Sequence, residues 1–354
     1  MKLEDLGYHS ALETYRKENG LDSLEVGRVL VEHKNRYVVA TASHEFDAEL
    51  MGNLRFTAEN RNDLPAVGDW VAFMEYDEDK ALIHAVFPRK SLVERKAVGK
   101  SGQTQIIASN IDFGLIVQSV NRDFNMNRLE RYLTICYASK IEPIVILSKV
   151  DLIEKKLLDE LMNQVKARMN DVSVFAISNT TLTGIDELKS KLKKGFTYCL
   201  LGSSGAGKST LMNTLSGSQL MKTGEISKSV QRGKHVTSHR ELFVLDFGIL
   251  IDNPGMREVG ITNMSDGLEN TFDDISNLAL DCKFNNCTHT SEKGCAVLDA
   301  IANQKLNVDS YTNFMKMENE RRHFESDALE RKKKDKDLGK LIKRVKKIKK
   351  NTKY

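Results

Sequence analysis

Eight residues constrain this chain more than any others. Gly202-Ser203-Ser204-Gly205-Ala206-Gly207-Lys208-Ser209 reads GxxxxGK[ST], with an apolar strand-like run (196–201) before it and a helix-forming run (208–215) after it. Glycines let the backbone curl until several N–H groups face one phosphate, and the start of the following helix adds positive potential. Lys208 is then placed to reach β- and γ-phosphates and Ser209 to ligate Mg²⁺, with Thr210 beside them in the first helical turn.

The surrounding pattern predicts a mostly parallel α/β sheet covered on both faces. Strands are expected over 113–120, 143–147, 172–177 and 196–201, and helices over 127–139, 153–169, 184–192 and 208–215. A strand pair, 242–246 and 249–252, turns around Phe247-Gly248. It ends in Asp252-Asn253-Pro254-Gly255. Asp252 suits a second Mg²⁺ contact through water, and the Gly255 N–H suits the γ-phosphate.

Before the phosphate loop, Ser148-Lys149-Val150-Asp151 follows the strand EPIVI and resembles the NKxD element that reads guanine. The Asp151 carboxylate would accept from guanine N1–H and the 2-amino group, donors that adenine lacks, and the Lys149 stem would pack on the base. The competing role for Asp151 is to cap the helix from Leu152. Ser178 ends the next strand, where a loop N–H meets guanine O6, with Asn179 in place of the usual Ala. The order is reversed, since SKVD lies about fifty residues before the phosphate loop. A parallel α/β domain tolerates such a permutation because its termini can lie close together.

Residues 223–240 form the long polar loop expected of a switch. Thr237, with Ser238 second, is the expected Mg²⁺ and γ-phosphate ligand. Met256 stands where Ras-like proteins carry a water-orienting Gln. Catalysis must borrow a group, which makes His235, with Lys208 and Thr237, the catalytic candidates. The alternative for His235 is contact with phosphate or RNA.

Short β-rich segments at 26–31, 37–41, 70–76 and 82–87, separated by turn residues, predict a small OB-type barrel after a helical lead-in. Cys282-x4-Cys287-x-His289-x5-Cys295 offers three thiolates and an imidazole, the set for one closed structural Zn²⁺. Cys136 and Cys199 stand alone in apolar stretches and read as small core residues. Residues 331–354 hold thirteen Lys or Arg and two Asp, so a net charge of +4 hides a tail of +11 on a body of about −7. Such a tail points to nucleic acid ahead of membrane, against the competing reading of a solvated disordered tail. No run of eighteen apolar residues and no signal-peptide pattern is present, so the expected location is the cytoplasm, with reduced thiols.

Together the barrel, SKVD, GSSGAGKST, GKHVTSHRE, DNPGMRE and CKFNNCTHTSEKGC resemble the RsgA (YjeQ or EngC) family of circularly permuted GTPases over about residues 24–320. The resemblance implies an OB-type barrel over 1–97, a permuted P-loop GTPase domain over 98–268, a helical zinc domain over 269–330 and a basic tail over 331–354. It implies a protein that binds GTP or GDP with Mg²⁺, acts on the small ribosomal subunit and its rRNA late in maturation, and is stimulated there; a monomer is expected. It also implies that His235 assists hydrolysis. Ser148 and Val236 depart from the family pattern.

Overall fold

A short helix, α1 (Ser10–Glu18), precedes three strands, β1 (Glu25–His33), β2 (Arg36–Ala40) and β3 (Glu45–Leu50). After α2 (Gly52–Thr57) come β4 (Trp70–Asp77) and β5 (Lys80–Val86). The computed structural model describes residues 1–33, 36–96, 104–121, 123–169, 171–217, 241–252 and 265–323. The five strands close on themselves in the order β1-β2-β3-β5-β4-β1. All neighbours are antiparallel except β3 and β5. This is the OB-type barrel that the turn spacing predicts. A register shift between Val29 and Val31 lets β1 bend, so that it pairs with β2 and with β4. Val29, Val39, Phe46, Val71, Phe73 and Ile83 fill the interior. β3 is a strand the sequence reading lacks: Phe46 and Ala48 point in while Glu45, Asp47 and Glu49 face water.

A ribbon of β6 (Leu92–Lys96) and β7 (Thr104–Ser109) leads out of the barrel. A buried polar junction fixes this exit. The Asp69 carboxylate, fully buried, accepts from Arg89 at 2.8 and 2.6 Å and from the Ser109 hydroxyl. Arg28, 1% exposed, donates to the carbonyls of Leu6, Gly68 and Asn110. Burial lowers its pKa to about 10, so it stays cationic at neutral pH.

The α/β region, whose strands are hydrogen-bonded to the barrel through β1, is built from β8 (Phe113–Ser119), α3 (Met126–Ala138), β9 (Glu142–Ser148), α4 (Lys155–Arg168), β10 (Ser173–Ile177) and α5 (Ile185–Lys191). It continues through β11 (Thr197–Leu201), α6 (Lys208–Ser216), β12 (Glu241–Leu245) and β13 (Gly248–Asp252). The strand order is β10-β9-β8-β11-β13-β12, parallel apart from β12. β8 to β10 step outward in one direction, then the chain returns to lay β11 beside β8 and β13 on its far side. Ligands of open α/β sheets bind beyond the carboxyl ends of the strands at such a reversal. Leu115, Val117, Ile146, Leu200, Leu211 and Leu250 are fully or nearly fully buried in one cluster under that edge.

One more helix, α7 (Ser265–Thr271), belongs to this unit and packs on α3. A Cβ at Gly267 would lie 2.4 Å from the Thr134 carbonyl oxygen, so only glycine permits the approach. The Thr134 hydroxyl donates to that of Thr271 at 3.0 Å.

A second compact unit begins at Phe272. It contains α8 (Asp273–Leu280), α9 (Ala296–Ala302) and a helical run over 308–323. Phe272, Ile275, Val297 and Met317 are its most buried large apolar residues. Among the described residues no helix is long and apolar enough to cross a membrane.

Candidate nucleotide site and metal centre

Three loops leave the carboxyl ends of β9, β10 and β11. The first carries Ser148, Lys149, Val150 and Asp151. Lys149 adopts φ +62°, and residues Val150–Leu152 form one 3-10 turn. Val150 is buried, Lys149 half-buried and Asp151 exposed, so the carboxylate is open to a ligand rather than used in the fold. It does not start a long helix, because α4 begins four residues later. The second loop starts at Ser178, whose buried hydroxyl accepts from the N–H groups of Thr180 and Thr181 at 3.1 Å each. Those two bonds shape the turn, and the Ser178 N–H closes it by donating to the Thr183 carbonyl at 3.0 Å.

The third loop runs from Gly202 to Gly207. Its glycines have φ +140° at Gly202, +75° at Gly205 and +94° at Gly207, the left-handed region that other residues avoid. At Gly202 a Cβ would also sit 2.2 Å from the Val117 carbonyl oxygen, so the loop leaves the sheet tightly against β8. The Lys208 ammonium donates to the carbonyls of Gly202 and Ser203 at 2.8 and 2.7 Å, folding the side chain back over its own loop. α6 begins with no side-chain cap. The N-terminus of such a helix offers backbone N–H donors of the kind a phosphate uses.

The loops are tied together. The Ser148 hydroxyl, fully buried, donates to the Ala206 carbonyl at 2.6 Å. Ser204 is an exposed rim residue, whereas Ala206 is 1% exposed. Ser148 thus braces the phosphate loop, a role its sequence motif does not reveal. Asp252 closes β13, paired with Glu241 in register. His235, Thr237, Ser238, Gly255, Met256 and the basic tail 331–354 lie outside the described residues.

In the second unit, Cys282, Cys287, His289 and Cys295 bring their ligand atoms within 4.8 Å of one another. Cys282 Sγ lies 3.9 Å from Cys295 Sγ and 3.6 Å from His289 Nδ1, and Cys295 Sγ lies 3.5 Å from that nitrogen. Tetrahedral Zn²⁺ with bonds of about 2.3 Å to sulfur and 2.0–2.1 Å to nitrogen has edges of about 3.5–3.8 Å. The four donors therefore fit one closed metal site. Burial lowers the His289 pKa, which favours the neutral imidazole a metal needs. Burial also pushes the Cys287 thiol up to about 11, so that thiol holds its proton unless a cation draws it off.

Glu292 organises the ligand loop and is absent from the sequence-derived site. Its carboxylate accepts from the Thr288 N–H at 2.8 Å, from the Thr288 hydroxyl, and from the N–H groups of Thr290 and Ser291 at 3.0 and 3.1 Å. These donors hold it well below the usual carboxylate range. The Tyr311 hydroxyl adds a 2.5 Å bond to the His289 carbonyl, and Lys283 N–H bonds the Gly294 carbonyl at 3.0 Å.

Comparison with known proteins agrees with this geometry. Residues 86–262 match the RsgA GTPase family model. A second model, that of the ABC transporter, matches 185–346 and overlaps the first over 185–262. The small ribosomal subunit biogenesis GTPase RsgA 1 of Listeria innocua is 40% identical over 340 residues, 95% of this chain and 94% of its own. The protein of the same name from Bacteroides thetaiotaomicron is 37% identical over 328 residues, 92% of this chain and 91% of its own. Two crystal structures share the fold. YjeQ from Thermotoga maritima has a TM-score of 0.61 at 22% identity, covering 84% of this chain and 98% of its own. YloQ, a circularly permuted GTPase, has 0.63 at 21%, covering 85% and 96%. With motif order, sheet order and full-length similarity in agreement, this chain belongs to the RsgA GTPase family.

Proposed function

We propose that this protein binds the small ribosomal subunit and assists its late maturation, hydrolysing GTP to GDP and phosphate under stimulation by the subunit. The observation that carries the nucleotide half is the bond from Ser148 to Ala206, which joins a base-reading loop to a phosphate loop at the switch point of the sheet. The names of the relatives carry the ribosomal half.

In this reading Asp151 accepts from guanine and Lys149 packs on the base, with Ser148 and Val150 shaping their loop and Ser178 opening the loop that meets O6. Gly202 through Gly207 surround the phosphates with N–H donors, and Lys208 carries positive charge to the β- and γ-oxygens. Mg²⁺ supplies charge neutralisation there, held by Ser209 and, through water, by Asp252. Thr210 completes the first turn of α6. Thr237 and Gly255 sense the γ-phosphate. His235 helps orient water, because Met256 offers no hydrogen-bonding group. One Zn²⁺ on Cys282, Cys287, His289 and Cys295 has a structural role, since four protein donors leave no open position. The organisation is barrel (1–97), GTPase domain (98–268), zinc domain (269–330) and basic tail (331–354), acting as a monomer in the cytoplasm. The GTP state holds the subunit and the GDP state releases it.

Co-sedimentation tests this directly. With a non-hydrolysable GTP analogue the protein is expected to pellet with small ribosomal subunits, and with GDP to remain in the supernatant. Equal pelleting in both states, or binding to large subunits alone, contradicts the proposal.

A further inference from the structure

The element that reads guanine ordinarily opens with Asn, whose amide has two hydrogen-bonding ends. This chain has Ser148. A hydroxyl brings a single hydrogen to donate. Here it is spent on the Ala206 carbonyl at 2.6 Å, so Ser148 has no second donor for the next carbonyl of the phosphate loop. That next carbonyl, Gly207, is met from another direction. Asn179, the residue after Ser178 in the loop that follows β10, donates from Nδ2 to Gly207 O in a long 3.5 Å contact.

The packing around Gly207 ties the two substitutions together. A Cβ built at Gly207 would lie 3.4 Å from Asn179 Nδ2 and 3.9 Å from Ser148 Oγ. Both side chains therefore close on the same bare Cα. Asn179 also keeps Oδ1 buried with no hydrogen-bond partner among the described residues. Reversing the amide would set Oδ1 against the Gly207 carbonyl, acceptor against acceptor, so the contact fixes the amide as it stands.

We infer that Asn179 is a positioning residue of the nucleotide site, supplying from the β10 loop the amide that position 148 lacks. Ser148 and Asn179 hold consecutive carbonyls of the phosphate loop, from two different strands. The base-reading loops and the phosphate loop then move as one body, and a nucleotide that touches both is released slowly. The inference rests on the guanine-nucleotide reading above.

The test uses the full chain and a fluorescent GDP analogue, with ADP as control. Asn179→Ala is expected to raise the GDP dissociation constant about fivefold through a faster off-rate, the scale of one neutral hydrogen bond. Asn179→Asp, which puts a carboxylate against the carbonyl, is expected to cost more. The decisive variant is Ser148→Asn combined with Asn179→Ala. It returns the amide to position 148 and is expected to recover an off-rate within about twofold of the parent, which a merely structural loss would not allow. Thermal unfolding without nucleotide accompanies each variant. If Asn179→Ala lowers the midpoint, Asn179→Ser, too short to reach Gly207, replaces it. An unchanged off-rate in the single variants, or no recovery in the double variant, overturns the inference. A parent protein that binds ADP as well as GDP instead overturns the underlying reading.

Discussion

The nucleotide site and the Cys/His centre reach their geometry by opposite routes. The three nucleotide loops hang from a sheet whose residues Leu115, Val117, Ile146 and Leu250 are fully buried. Each such side chain contributes about 1.5–3 kcal/mol on burial, so the frame stands without its ligand. Around the Cys/His centre the apolar residues are fewer, and several are spent on the surface: Leu280 is 84% exposed, Val308 57% and Phe284 46%. There the ligand must supply what burial does not. A structural Zn²⁺ can provide about 10–16 kcal/mol in comparably small units. On the proposed reading the first site is a scaffold that accepts a guest, and the second is one that a metal would complete.

The largest effect that could break this contrast is metal removal. Chelation, or Cys287→Ser, is expected to release one equivalent of zinc per chain and to abolish amide-exchange protection across 272–323. Protection of β8, β9 and β11 should survive, as should GDP binding. Loss of protection in both units would erase the distinction. Next is Gly202→Ala. Its Cβ meets the Val117 carbonyl at 2.2 Å in a φ +140° backbone, so backbone must shift and not merely a side chain. We expect a loss of several kcal/mol in the first unit by denaturant unfolding, on the scale of a strained buried site, and no measurable GDP binding. Retention of affinity would mean the loop is more pliable than its contacts require.

Asp151→Asn sharpens the comparison from the guest's side. The exposed carboxylate contributes recognition and little stability, so the unfolding midpoint should hold while GDP affinity falls about a hundredfold and preference moves toward xanthine nucleotides. Unchanged guanine preference would remove Asp151 from base reading. The smallest effect is expected for Glu292→Gln. It keeps the shape but loses the charge that gathers Thr288, Thr290 and Ser291, and zinc extraction by a chelator should quicken by about threefold, in line with charge-assisted bonds being stronger than neutral ones. No change would make the clasp incidental to the metal.

How much of this was readable from the chain depends on the distance over which each feature is determined. The phosphate loop is local, and its glycines and flanking elements lie where the motif puts them. The Cys/His spacing is likewise local, and the four donors converge as expected. Ser148 is different. Its motif suggests a base contact, yet its hydroxyl is spent on a carbonyl 58 positions away, which only the sheet order brings near. Glu292 escaped for another reason: a carboxylate among Thr288, Thr290 and Ser291 reads as one more solvated side chain until the loop closes around it. β3 was missed because its outward positions are acidic, a composition that strands disfavour, while Phe46 and Ala48 alone carry the inward pattern. The link between the strand pair and the Cys-containing unit is a further feature that only the structure supplies. α7 intervenes and is held on α3 by the close approach at Gly267, which no spacing rule encodes.

The central claim is that this nucleotide site serves a switch read by the small ribosomal subunit. Its most direct test is the GTP hydrolysis rate of the purified protein alone, with small subunits, and with large subunits as control. Slow intrinsic turnover is predicted, because Met256 cannot orient water, together with strong stimulation by small subunits only. GTP binding with no stimulation by small subunits would contradict the account and leave a nucleotide-gated binding protein in its place.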